Sequence, residues 1–281
     1  HYGDLYDFQV VKDGDKLSLG KRELTFVALP MLHWPDSMAT YCADDGILFS
    51  NDAFGQHYAV AKRFDDEVDQ GILFYEAKKY FANILWPYAR LIDKALTKVA
   101  ALDLKMIATA HGIIWRSHIQ EIIARYAAWG KGVSDSSVVV AYDTMWGATE
   151  QMARAVLEGV ISAGSDAVLL RMNETPNSTA VADLFEAGGL IVGSSTLNNG
   201  MLPTLGSLLV YLKGLKPTGK KAAVFGTYGW AGGAQKDMEA LLTEAGFELE
   251  PGFTCKWKAQ PEDLAAARQL GYEFAKKLQN K

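Results

Sequence analysis

Val138-Val139-Val140-Ala141-Tyr142-Asp143-Thr144-Met145-Trp146-Gly147-Ala148-Thr149-Glu150 is the stretch on which the fold turns. Its first five residues are apolar and mostly β-branched, and they read as a buried strand. The small and hydroxylated residues that follow read as a tight connection into a helix over residues 149–163, ended by Gly164. A strand, a short loop and a helix in that order begin a parallel sheet, because parallel neighbours need a crossover connection.

The alternation continues downstream. Residues 167–172, 190–192 and 222–226 read as strands, and residues 247–253 as a fifth that Pro251 and Gly252 weaken. Between them lie helices predicted over 178–187, with Ser178 as a cap, over 205–215, and over 235–245, closed by Gly246. Residues 261–278 form the terminal helix. Five β/α units in this space predict a flavodoxin-like, doubly wound parallel sheet with its ligand at the carboxyl ends of the strands.

Working backwards, the small polar stretch from Gly130 to Ser137 marks a boundary, dividing the chain into residues 1–132 and 137–281. The first part mixes strands and helices. Val10 and Val11 read as a strand end. Residues 24–29 are a buried-strand run stopped by Pro30, and residues 39–43 and 47–49 flank an Asp44-Asp45-Gly46 hairpin signal. One long helix is expected over 77–101, kinked at Pro87, then a strand over 106–110 and a helix over 118–129.

Composition bounds the function. The chain has 281 residues, 49% hydrophobic and 22% charged, and no apolar run nears the ~20 residues of a membrane span. A net charge of −5 without a long basic run argues against a nucleic-acid partner. Cys42 and Cys255 lie far apart and read as free buried thiols, as in a cytoplasmic protein. No Cys-x-x-Cys pair is present, so the chain carries no rubredoxin-type iron site of its own.

Three loops leave the carboxyl edge of the expected sheet. The first, with Thr144, Met145, Trp146, Gly147, Ala148 and Thr149, offers hydroxyls and close backbone approach at a helix N-terminus, which suits a phosphate. It has no lysine and no Gly-x-Gly-x-x-Gly, so it is neither a Walker loop nor a dinucleotide turn. The second runs through Ser195, Thr196, Leu197, Asn198, Asn199 and Gly200. The third holds Tyr228, Gly229, Trp230 and Gly232. Amides, hydroxyls, aromatics and glycines together suit a flat, partly polar ring such as isoalloxazine, which makes FMN the expected cofactor. An ordinary capped turn with surface aromatics is the competing reading.

In the first part His33, Asp52 and His111 each follow a predicted strand and are free to converge. Imidazole suits iron or zinc, and a carboxylate can bridge two metals. A satisfied polar histidine and a helix-capping aspartate are the alternatives. His57 and His118 read as structural or exposed, and Tyr80 and Phe81 as core.

Met31-Leu-His-Trp-Pro-Asp-Ser-Met38, Ser50-Asn-Asp-Ala-Phe-Gly-Gln56, Tyr142-Asp-Thr-Met-Trp146 with Thr149-Glu150, Asn198-Asn-Gly200 and Gly226 to Gly232 together resemble the flavodiiron protein family. The resemblance covers essentially the whole chain. It implies a metallo-β-lactamase-like αββα domain with two irons joined to an FMN-binding flavodoxin-like domain. His33 and His111 would each bind one iron and Asp52 would bridge them. The three loops would hold FMN. Electrons would pass from a rubredoxin-like donor through FMN to the irons, where O2 becomes water or NO becomes N2O, in a head-to-tail homodimer or tetramer. The family's His-x-Glu-x-Asp-His motif, expected upstream of His33, is absent from these residues. Only the C-terminal part of the αββα domain is therefore expected, completed by a companion N-terminal fragment or left with local disorder in residues 1–130. Without that completion the implied role shrinks to a flavodoxin-like electron carrier with a non-catalytic metal half.

Overall fold

The computed structural model describes residues 7–132 and 134–280. Residues 1–6, Val133 in the expected boundary and Lys281 lie outside the described residues. Two compact units emerge, residues 1–131 and 132–281.

The second unit is a six-stranded sheet. Its strands are β6 (Val138–Tyr142), β7 (Ala167–Arg171), β8 (Gly189–Ser195), β9 (Lys221–Tyr228), β10 (Glu248–Leu249) and β11 (Phe253–Lys256). The order is β10-β9-β8-β6-β7, with β11 also pairing β9, and every pairing is parallel. This is the doubly wound order, with its reversal beside β6. Helices α4 (Ala148–Ser162), α5 (Asn177–Glu186), α6 (Pro203–Leu215), α7 (Ala234–Ala245) and α8 (Pro261–Gln279) form the crossovers and the terminal cover. β6 and β8 are buried along their whole length, as expected of strands covered on both faces. α4 and α8 touch backbone to backbone. A Cβ on Gly159 would sit 1.9 Å from the Arg268 carbonyl oxygen, and one on Gly271 would sit 2.1 Å from that of Val156. Cys255 and Cys42 are both buried and free.

Two expectations need correction here. Ser178 is not the N-cap: α5 starts at Asn177, and the extended Pro176 holds the cap position. The fifth strand is split by Pro251 and Gly252 into β10 and β11, and it runs on to Lys256 rather than stopping at Phe253. Proline cannot donate to a ladder, so the strand breaks there and resumes.

The first unit is a five-stranded sheet in sequential order: β1 (Lys16–Ser18), β2 (Glu23–Ala28), β3 (Met38–Cys42), β4 (Ile47–Asn51) and β5 (Met106–Thr109). All pairs are antiparallel except β4–β5. One face buries Val27, Ala39, Tyr41, Leu48 and Ile107. Cross-strand register puts Phe26, Thr40, Phe49 and Ala108 in one row of the other face, with Leu24, Cys42, Ile47 and Met106 in the next. That face is also largely apolar, yet Phe49 is 48% exposed. A sheet apolar on both faces is one built to be covered on both.

Helices α1 (Gln70–Tyr80), α2 (Ile92–Ala100) and α3 (Ile119–Gly130) complete the unit. The single helix expected over 77–101 is instead four consecutive segments of three different pitches. α1 begins earlier, capped by Asp69, whose carboxylate accepts the Ile72 N–H at 2.9 Å. It passes into a π-helical segment, Phe81–Leu85, and a 3-10 segment, Trp86–Leu91, which contains Pro87, before α2 starts. The missing proline N–H accounts for the change of pitch. Val10 and Val11 are not in a strand, and the short exposed β1 has too little pattern to be read beforehand. These elements and the loops between them account for Lys16 to Gly130.

Candidate cofactor and metal sites

Thr149 lies in the first turn of α4 and is completely buried. Its hydroxyl lies 2.8 Å from Ser195 Oγ, at the end of β8, and 3.0 Å from Thr227 Oγ1, near the end of β9. Three hydroxyls from three elements meet at one point, so the three loops begin from a shared polar hub. Gly147 turns the first loop into the helix with φ 85°, a left-handed conformation that glycine adopts without steric cost. Thr144 Oγ1 accepts the Gly147 N–H at 3.1 Å. The buried Asp143 carboxylate accepts the Thr144 N–H at 2.8 Å and the Thr204 hydroxyl at 2.7 Å, tying this loop to α6.

The second loop closes with reciprocal hydrogen bonds between Leu197 and Gly200, both 2.9 Å. Asn198 (φ 49°) and Asn199 (φ 61°) form the two-residue turn, and asparagine tolerates that region better than most residues. The third loop presses on the second: a Cβ on Gly233 would sit 1.8 Å from the Asn199 carbonyl oxygen.

A cavity of about 780 Å³ opens between these loops. Of the residues singled out from the sequence, Met145, Trp146, Ala148, Ser195, Thr196, Asn198, Asn199, Tyr228, Gly229 and Trp230 line it. Thr144, Gly147, Thr149, Leu197 and Gly200 belong to the same loops without lining the cavity, and Gly232 lines a smaller neighbouring pocket beside β9. Gln151, Thr227, Ala231, Trp257 and Lys258 also line the cavity and were not singled out. Trp146 is 92% exposed, Trp230 85% and Trp257 59%. Three large aromatics left in water round one cavity mark a site for a flat apolar surface.

In the first unit Asp52 stands between the two histidines. Its Oδ2 lies 3.4 Å from His33 Nε2 and its Oδ1 lies 3.2 Å from His111 Nε2. One carboxylate thus presents each oxygen to a different imidazole, the arrangement that suits a bridge between two metals. Among the described residues no group of three or more His, Cys, Asp or Glu closes round one point as a complete metal site.

The loops that carry Asp52 and His111 are clamped by Gln56, which is fully buried. Its Oε1 accepts the Ile113 N–H at 2.6 Å, its Nε2 donates to the Phe54 carbonyl at 2.9 Å, and its backbone N–H donates to the His111 carbonyl at 3.2 Å. Gly112 (φ 83°) completes the clamp, since a Cβ there would lie 2.4 Å from both Gln56 oxygens. The Tyr126 hydroxyl accepts the Phe54 N–H at 2.8 Å. Tyr80 is buried, and its ring centroid is 6.1 Å from that of His111. Burial, with the Asp52 charge as a smaller cause, holds the Tyr80 hydroxyl well above its ordinary pKa. His57 is exposed but stands beside His111, ring centroids 5.7 Å apart. His118 is tied into the frame through Nδ1, 3.1 Å from Asp65.

Residues 140–271 match the flavodoxin family profile and residues 1–112 that of the ODP family beta lactamases. A nitric oxide reductase of Moorella thermoacetica is 44% identical over 283 residues, covering 99% of this chain and 71% of the relative. A crystal structure of the flavodiiron protein of Giardia intestinalis matches with a TM-score of 0.93 at 37% identity, covering 97% of this chain and 68% of that one. The rubredoxin oxygen:oxidoreductase of Desulfovibrio gigas matches with a TM-score of 0.93 at 35% identity, covering 98% and 70%. The chain spans 57–71% of the length of the curated relatives it matches. Two family profiles in this order, and relatives of this identity along nearly the whole chain, lead to one conclusion: the chain belongs to the flavodiiron protein family of oxidoreductases.

Proposed function

We propose that this chain holds FMN in the cavity at the carboxyl edge of the six-stranded sheet and supplies three protein ligands to a two-iron centre that reduces O2 to water, NO to N2O, or both. The observation that carries the reading is the hydroxyl hub of Thr149, Ser195 and Thr227 beneath a 780 Å³ cavity rimmed by exposed tryptophans. The donor set fits the cofactor. Thr144, Met145, Trp146, Gly147, Ala148 and Thr149, at the positive end of α4, would receive the phosphate. Ser195 to Gly200, with Tyr228, Gly229, Trp230 and Gly232, would border the ring.

His33, Asp52 and His111 fit one side of a two-metal site, an imidazole for each metal and a carboxylate between them. They do not complete one. Among the described residues nothing else completes the site, and the remaining ligands would come from other polypeptide, either joined to this chain or packed on it as a companion fragment. The greater length of the relatives and the half-exposed Phe49 on the apolar second face of the first sheet support that reading. When bound, FMN supplies one-electron transfer from a small carrier, which we take to be rubredoxin-like, and two irons supply the place where O2 or NO is reduced.

The chain's own part is positional. The Gln56–Gly112 clamp fixes His111 against Asp52, and the buried Tyr80 retains its proton beside them. Asp143 braces the phosphate loop from inside through Thr144 and Thr204. We place the protein in the cytoplasm, where its two free thiols stay reduced, and as a homodimer or tetramer.

Titrating the metal-free chain with FMN and with riboflavin tests the flavin assignment. One FMN per chain, bound at least tenfold tighter than riboflavin, is expected. Adding the ligand-completing polypeptide and iron should then give two irons per chain and consumption of NO or O2. FMN uptake with no iron under those conditions would leave an electron carrier.

A further inference from the structure

β11 pairs with β9 from Phe253 to Lys256, and the ladder continues one step, with the Trp257 N–H donating to the Tyr228 carbonyl at 2.7 Å. In an extended strand Trp257 and Lys258 would point to opposite faces. Trp257 breaks that alternation with φ 62°, a left-handed conformation that bulky residues rarely adopt. The chain turns there, and both residues line the 780 Å³ cavity. Gly229 admits the indole: a Cβ on it would lie 3.2 Å from the Trp257 ring, which stands 6.1 Å from Trp230 at 52°. A bulky residue held left-handed persists only where its surroundings over-determine it, and such positions cluster at ligand sites.

Lys258 is the one charged residue lining this cavity among the described residues. Its place in the sheet says what it faces. The phosphate loop follows β6, and β11 lies three strands away across β8 and β9. At about 4.8 Å per strand that is roughly 14 Å, too far for an ammonium to pair with a phosphate at α4. The nearby carboxylates are engaged elsewhere or lie on another loop. Asp143 bonds Thr144 and Thr204, Asp263 accepts the Gln260 N–H at 2.9 Å, and Asp237 sits against Gly200.

We infer that Lys258 is a redox-tuning residue: its ammonium faces the ring end of the bound cofactor and favours the reduced, negatively charged flavin over the oxidised, neutral one. The inference rests on the FMN reading above. Each electron delivered to the ring adds one negative charge unless a proton from solvent follows it, and a fixed cation stabilises that charge. For an exposed pair at contact distance the attraction is about 1 kcal/mol. That is about a fivefold change in the ratio of reduced to oxidised flavin at a fixed donor potential. For one electron this is ~40 mV, at 59 mV per tenfold.

The test is a stepwise reduction by dithionite, followed spectroscopically, of the FMN-loaded chain and its Lys258→Gln, Lys258→Arg and Lys258→Glu variants at low salt. Lys258→Gln should lower the ratio about fivefold and Lys258→Glu further. Lys258→Arg should stay within about 1.5-fold of the parent. The Kd for oxidised FMN should move less than threefold throughout, because the residue is exposed and the phosphate is held elsewhere. The Lys258→Gln effect should shrink in 1 M salt, as a charge effect must at a Debye length of about 3 Å. A Lys258→Gln ratio within 1.5-fold of the parent, with FMN bound, overturns the inference alone. Failure of the parent chain to take up FMN overturns the flavin reading and this inference with it.

Discussion

Replacing Gln56 by leucine keeps the side chain's approximate volume and removes its amide. The consequences can be counted. The Ile113 N–H loses its acceptor, Gln56 Oε1, in a buried setting. The Phe54 carbonyl loses one donor but keeps the Trp115 indole N–H at 2.8 Å, and the Ile113 carbonyl keeps the Thr109 hydroxyl at 3.2 Å. One orphaned backbone donor therefore decides the outcome, at roughly 1–3 kcal/mol. Taking about 2 kcal/mol, and about 3 °C per kcal/mol for a unit of this size, the first unit should melt about 6 °C lower. Circular dichroism in the near ultraviolet reports the tertiary packing of Trp115 and Trp129 and serves as the assay. Gly112→Ala, which strains the same clamp from the other side, should lower the melting temperature by at least as much. A Gln56→Leu shift below about 2 °C would refute the claim that this amide holds the two loops together.

Gly159→Ala puts a methyl 1.9 Å from the Arg268 carbonyl oxygen and forces α4 and α8 apart, so the second unit should lose roughly 2–3 kcal/mol in a urea titration; an unchanged midpoint would contradict the close helix contact. Thr149→Val removes the centre of the hydroxyl hub and should weaken FMN binding about tenfold by fluorescence quenching, about 1.4 kcal/mol, whereas an unaltered Kd would remove Thr149 from the site. Asp65 is fully buried, which by itself raises its pKa, but N–H donors from Arg116, His118 and Ser117 and the His118 ring outweigh burial and hold it below the ordinary carboxylate value. A depressed carboxylate contributes its stability above the unfolded value of about 3.9 and loses it as pH falls through the lower folded value. Acid unfolding of the first unit below about pH 4 should therefore be less steep in Asp65→Asn, and equal slopes in the two proteins would count against this role.

The second unit was legible because its strands are covered on both faces. Continuous apolar runs such as Val138–Tyr142 and glycine-marked helix ends announce themselves locally. The three loops were legible because all leave the same sheet edge, a consequence of parallel topology. Trp257 and Lys258 were not. Pro251 and Gly252 make the fifth strand read as ending at Phe253, short of both residues, and the left-handed turn at Trp257 has no glycine or asparagine to signal it. Thr227 carries no local signal, because its hydroxyl gains meaning only beside Thr149 and Ser195, a three-dimensional fact. In the first unit His33, Asp52 and His111 were visible as residue types after strands, and the structure brings them to one carboxylate. Gln56 and Asp65 act through buried hydrogen bonds to backbone far along the chain, which no local pattern reveals. The helix expected over residues 77–101 failed because the apolar content of residues 81–91 reads as helical, while Pro87 forces a change of pitch rather than a simple kink.

A crystal structure of the chain loaded with FMN tests the central claim most directly. The phosphate should lie at the turn from Thr144 to Thr149, and the ring should lie between Thr196–Asn199 and Tyr228–Trp230 with Lys258 at its far end. Flavin density anywhere else, for instance in the cleft between Glu250 and α8, would contradict the account.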